Sequence, residues 1–144
     1  MRRFAALVVG AAVVAVPVLG FAAPAQAHNY VVSSTPAQGE TLTELPAQFE
    51  VTTNSPLLTL GGSVAGFAME VKDAAGLYYG DGCVAVLGAT LSETAALGAA
   101  GDYTLLWQLV SEDGHTVSGE IGFTWAPPAD FVPSEGTKSA ATCG

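Results

Sequence analysis

Positive charge is almost missing from this chain. Four Lys and Arg stand against thirteen Asp and Glu among 144 residues, a formal net charge of −9. A nucleic-acid surface needs basic side chains clustered along a phosphate track, so that class of partner is excluded. Charged residues of either sign reach only 12% of the sequence, while 50% is hydrophobic. The apolar excess is concentrated at the amino terminus, and no later stretch is long and apolar enough to span a bilayer. Histidine and cysteine are scarce, two of each. No G-x-S-x-G nucleophile elbow is present. Nothing singles out a catalytic pair among the thirteen acids. Amphipathic runs of helical period are lacking as well, which argues against a helical domain.

The amino terminus has the make-up of a secretory signal. Met1-Arg2-Arg3 is positive, Ala5 to Gly20 is an apolar run, and Ala25-Gln26-Ala27 offers small residues at the positions a signal peptidase reads. The run is too short for a good transmembrane helix. No Cys follows the cleavage site, so a lipid anchor is not expected, and little beyond Arg2-Arg3 fits a twin-arginine signal. Cleavage after Ala27 leaves residues 28–144. Cleavage after Ala25, at Ala23-Pro24-Ala25, is the alternative and leaves Gln26 first. With both arginines gone, Lys72 and Lys138 face all thirteen acids, a formal charge of −11. Such a chain is soluble and attracts cations. Export also suggests that Cys83 and Cys143 form a disulfide; a thiolate metal site or two free thiols are the other readings.

The mature chain reads as one all-β domain. Apolar residues alternate at Tyr30 and Val32, at Phe49, Val51 and Thr53, and at Phe67, Met69 and Val71. Leu77-Tyr78-Tyr79 and Cys83 to Leu87 suggest a hairpin around Gly80-Asp81-Gly82. Two longer strands follow, one with Tyr103, Leu105, Trp107 and Leu109 on a face, the next with Val117, Ile121, Phe123 and Trp125. Gly119 interrupts the second series, marking a bulge or a close approach. Glu93 to Leu97 suggests a single helical turn. About seven short strands predict an antiparallel Greek-key sandwich or barrel. Residues 28–125 form this domain, and residues 126–144, with several prolines, form a mostly irregular tail.

Two places could carry chemistry. Processing after Ala27 makes His28 the first residue, and its freed α-amine and ring Nδ1 can then close a chelate on one metal ion. The amine has an ordinary pKa near 8, so a metal displaces its proton easily. Cu(II) favours such nitrogen-rich tetragonal sites and tops the divalent affinity series. Alone, His28 is equally well whatever follows a cleavage site. The second place is Ser111-Glu112-Asp113-Gly114-His115, between the two longest strands. Asp113 and His115 are two apart and can project the same way in extended backbone, with Gly114 leaving room between them. Alone, this is equally an ordinary Asp-Gly turn.

Read together, these segments resemble the CopC family of exported copper-binding proteins. Gly101 to Trp125 carries a similar G-x-Y-x-x-x-W-x-x-x-S-x-D-G-H-x-x-x-G-x-x-x-F pattern. The opening His28-Asn29-Tyr30-Val31-Val32-Ser33-Ser34-Thr35-Pro36-Ala37-Gln38-Gly39 resembles the family's start, a strand ending in S-x-P-x-x-G. The resemblance implies a seven-stranded, cupredoxin-like or Ig-like β-barrel. It implies one Cu(II) held by His28, Asp113 and His115, a role in copper resistance, trafficking or uptake, and a membrane partner of the CopD type. Some relatives hold Cu(I) in a Met-rich segment. Met69, the one methionine after the signal, falls in a strand pattern and is expected in the core. The expected protein is therefore an exported, monomeric, non-enzymatic copper carrier, periplasmic, at the cell envelope or extracellular. A metal-free Ig-like surface domain and a histidine-brace copper oxygenase are the alternatives.

Overall fold

The computed structural model describes residues 28–144; the expected signal peptide and its cleavage sites lie outside them. Among the described residues there is no helix, and none long and apolar enough to cross a membrane. Nine strands are present: β1 Val31–Thr35, β2 Thr41–Leu42, β3 Phe49–Thr53, β4 Ala68–Asp73, β5 Tyr78–Tyr79, β6 Ala85–Leu87, β7 Thr90–Glu93, β8 Gly101–Val110 and β9 Thr116–Trp125. They form two sheets, a four-stranded one in the order β1-β3-β7-β6 and a five-stranded one in the order β2-β9-β8-β4-β5. All pairings are antiparallel except β2 with β9. The all-β expectation holds, as a two-sheet arrangement.

Alternation builds the core. Phe49 and Val51 of β3 and Leu91 of β7 are fully buried, as are Val71 of β4 and Leu105 and Leu109 of β8. Ile121, Phe123 and Trp125 of β9 complete it. Each such side chain contributes about 1.5–3 kcal/mol by leaving water. Met69 is 1% exposed and belongs to this core, as expected. Aromatic contacts tie the core together: Phe49 lies 5.9 Å from Phe123, and Tyr103 lies 5.7 Å from Phe123, ring centre to ring centre.

The structure corrects four local expectations. The proposed hairpin around Gly80-Asp81-Gly82 does not form: β5 pairs with β4 in one sheet, while β6 pairs with β7 in the other. The actual hairpin joins β6 to β7 through Gly88-Ala89, with Gly88 at φ 59°, the left-handed position that a two-residue turn needs. The helical turn at Glu93–Leu97 is absent; Thr90–Glu93 is a strand, because pairing with β3 outweighs local propensity. In β1 the phase is reversed: Tyr30 and Val32 are both 55% exposed, and Val31 packs against the core instead. Two short strands, β2 and β7, were not anticipated, which makes nine rather than about seven.

Gly119 proves to be a close approach and not a bulge. The β8–β9 register runs unbroken from Gly101↔Trp125 to Val110↔Thr116, with Trp107 opposite Gly119. A Cβ at Gly119 would stand 2.5 Å from the Trp107 ring. The tail is mostly irregular, yet anchored: Phe131 packs edge-on to Trp125 at 5.1 Å, Thr137 bridges to Tyr78, and Cys143 is disulfide-bonded to Cys83. The thiolate and free-thiol readings of the cysteines are thereby set aside.

Candidate metal centre

The β8–β9 hairpin closes through a tight loop. The Ser111 N–H donates to the His115 carbonyl at 2.8 Å, and the Gly114 N–H donates to the Ser111 carbonyl at 2.8 Å. Gly114 has φ 84°, a conformation that side chains resist. Asp113 Oδ1 accepts the His115 N–H at 3.1 Å, a local Asx interaction that fixes the carboxylate. The other oxygen, Oδ2, lies 3.1 Å from His115 Nδ1.

The opening residues come to this loop through Asn29, a residue only 4% exposed. Its N–H donates to Ser111 Oγ at 3.1 Å, and its Oδ1 accepts the Glu112 N–H at 3.1 Å. Its Nδ2, with two hydrogens, donates to the Ser55 carbonyl at 2.6 Å and to Thr53 Oγ1 at 3.0 Å, the Pro56 carbonyl at 3.2 Å sharing one of them. One side chain thus joins the chain start, the end of β3 and the β8–β9 loop. Tyr30 adds backbone pairing with Asn54. His28, one residue earlier, is thereby delivered to the loop. Its Nδ1 stands 2.6 Å from Asp113 Oδ2, and its ring centre stands 4.8 Å from that of His115.

His28, Asp113 and His115, the three candidates read from the sequence, therefore converge, with one potential ligand atom from each within 4.8 Å of the others. Among the described residues this is the one cluster of three or more His, Cys, Asp or Glu close enough to share an ion. Both imidazoles are exposed and the carboxylate is partly shielded. Slight desolvation pushes the Asp113 carboxyl up. The His115 N–H and the two imidazoles outweigh it and hold the group below its usual range. The chemistry of the set suits a borderline divalent ion: two imidazoles and a carboxylate. Nitrogen and oxygen ligands sit about 2 Å from such an ion, so neighbouring ligands stand about 3 Å apart. The observed separations of 2.6 and 3.1 Å fit that spacing. Thioether ligands are another matter. Met69 is the one methionine among the described residues, and it is buried in the core, so no methionine cluster stands at their surface.

Reasoning from the sequence missed Asn29 and Ser111 as the parts that position the site. Ser111 carried a signal, since it is the S of the S-x-D-G-H pattern. Asn29 carried only its place beside His28, and its burial comes entirely from segments distant in sequence.

Comparison with known proteins bears on the fold and the family. A profile of the CopC domain matches residues 31–126. Among solved structures, the CopC of Methylosinus trichosporium OB3b superposes with a TM-score of 0.62 at 20% identity, covering 73% of this chain and all of that one. PcoC, a methionine-rich copper resistance protein from Escherichia coli, superposes with a TM-score of 0.49 at 20% identity, covering 69% of this chain and all of that one. A search of curated proteins finds no match. The domain profile spans about two thirds of the sequence and takes in β1 through β9, and on that ground the chain belongs to the CopC family.

Proposed function

We propose that this protein is an exported Cu(II) carrier. After removal of residues 1–27, it holds one ion through the His28 amine and Nδ1, Asp113 and His115. The observation that carries this reading is the convergence of those three side chains from opposite ends of the domain. Membership of the CopC family supports copper as the cargo, and the nitrogen-rich donor set supports the divalent state. The protein is a monomer, and its role is to bind and hand on copper without catalysing a reaction, at the cell envelope or outside the cell. A membrane copper transporter of the CopD type is the partner that family membership suggests.

The site belongs to a carrier in its exposure as well. Its two imidazoles face solvent, where a partner can compete for the ion. The amine and both imidazoles must be deprotonated to bind, so affinity falls as pH drops.

The test is a Cu(II) titration followed by electron paramagnetic resonance. Protein beginning at His28 is compared with the same protein carrying one extra amino-terminal Ala. One tight tetragonal site, altered by the extra residue and weakened by Asp113→Asn or His115→Ala, is expected. No specific site in the protein beginning at His28 refutes the reading and leaves a metal-free exported β-domain. Peroxide-driven cleavage of chitin or cellulose would instead point to an oxygenase.

A further inference from the structure

A second cluster lies where the two sheets meet the tail. Glu93 ends β7 opposite Phe49, at the end of β3 remote from Thr53 and the histidines. The residue is only 2% exposed. Its Oε1 accepts the Gly82 N–H at 3.0 Å, while its Oε2 is buried and has no hydrogen-bond partner. The ion pairs of the described residues both involve Asp113, so no basic group compensates Glu93. Like charge from Asp81 and Glu70 adds to the strain of ionising it.

Glu93 lines a small cavity of about 10 Å³, room for a single water-sized particle. Glu70 of β4, Tyr78 and Tyr79 of β5, Gly82 and Ala141 also bound it. The backbone is fitted closely around this space. A Cβ on Gly80 would come within 2.6 Å of Glu93 Oε1, and one on Gly82 would overlap the Ala141 carbonyl. The Cys83–Cys143 bridge, with Cα atoms 4.6 Å apart, keeps the tail over this turn.

We propose that this cavity is a second metal site, for one hard divalent cation of the Ca²⁺ class, held by the Glu93 and Glu70 carboxylates together with backbone carbonyls of the adjoining turn and tail. The available donors are oxygens, because the nearby cysteines are bridged. Oxygen donors select hard cations over copper. The cavity admits an ion without its water shell, which favours Ca²⁺ over Mg²⁺, an ion that gives up water reluctantly. A bound ion supplies the partner that Glu93 Oε2 lacks. It also links β4 of one sheet, β7 of the other and the tail, so it acts as a structural clasp, separate from the histidine centre.

The experiment uses disulfide-intact protein of residues 28–144, stripped with a chelator and melted at about pH 8, where carboxyls are ionised. Titration with CaCl₂ against matched NaCl is expected to raise Tm saturably, on the order of 10 °C at a hundredfold excess over the dissociation constant. The rise is lost in Glu93→Gln, reduced in Glu70→Gln and kept in His115→Ala. Tb³⁺ emission excited through the tyrosines, displaced by Ca²⁺ and lost in Glu93→Gln, gives a second readout. Should Glu93→Gln not fold, the half-buried Glu70→Gln decides. A wild-type Tm indifferent to Ca²⁺, or a rise that persists undiminished in the Glu70 and Glu93 variants, overturns the proposal.

Discussion

Asn29→Ala isolates what holds the two halves of the histidine site together. The substitution removes the two Nδ2 donors, shared among three acceptors, and the acceptance of the Glu112 N–H by Oδ1. These losses are unequal. The single Thr53 hydroxyl hydrogen still reaches the Ser55 carbonyl at 2.7 Å, with the Ala89 carbonyl at 3.2 Å as its other acceptor, so neither Thr53 Oγ1 nor the Ser55 oxygen is orphaned. Glu112 is exposed, so water can take over its N–H. The Pro56 carbonyl loses its side-chain partner. With about 1 kcal/mol net for each satisfied bond and more for an orphaned buried group, the expected destabilisation is about 2–3 kcal/mol. In a domain of this size that is a fall of roughly 10 °C in Tm. The Asn29 N–H to Ser111 Oγ bond survives, so the chain start is loosened but not released. Cu(II) affinity, measured by competition with a chelator, should fall roughly 10- to 100-fold, the usual effect of losing a group that orients metal ligands. Asn54→Ala, which removes two exposed contacts, to the Tyr30 N–H and to Ser55 Oγ, is the control and should cost about 1 kcal/mol or less. If Asn29→Ala melts like wild type and binds Cu(II) as tightly, the Asn29 network does not position the site.

Other perturbations test other parts of the fold. Gly119→Ala forces a methyl group to within 2.5 Å of the Trp107 ring, and should destabilise by about 1–3 kcal/mol in urea unfolding while shifting the near-ultraviolet signal of tryptophan. Reducing the Cys83–Cys143 bridge, which spans 60 residues, should lower stability by about 4 kcal/mol at most on the chain-entropy model, read as a drop in the urea midpoint. Burial pushes the Glu93 carboxyl up to about 7, helped by Asp81 and Glu70 and opposed by the Gly82 N–H. A carboxyl raised on folding favours the folded state while protonated. In chelator, its contribution is therefore fully present below about pH 4.5 and declines as pH rises to about 7. Thermal melts across that window should show the decline in wild type and a flatter profile in Glu93→Gln.

The strand content and the candidate ligands were legible because both rest on local chemistry. Alternation at Tyr103 to Leu109 and at Val117 to Trp125 is a pattern of period two, and it matches the longest antiparallel pair. Asp-Gly between those strands marks a turn, and the two-residue spacing of Asp113 and His115 lets both reach one point. Composition alone sets an acidic chain, with thirteen Asp and Glu against four Lys and Arg. The errors fell where partners are distant. Sequence gives no rule for which strand β5 joins, and Gly80-Asp81-Gly82 has the composition of a hairpin turn although its flanking strands enter different sheets. Thr90–Glu93 is a strand because β3 and β6 pair with it on either side.

Tertiary structure alone decided three further things. It set the inward phase of β1, where Val31 and not Val32 meets the core, because that choice depends on how the strand docks on β3. It buried Asn29 among Thr53, Ser55, Pro56 and Glu112, segments up to 83 residues away, and so brought His28 to Asp113. It also enclosed Glu93 beneath a disulfide-held tail. Residue types and short spacings fix what a segment can do chemically. Which groups share a site depends on long-range pairing, whose free energy no local window of sequence contains.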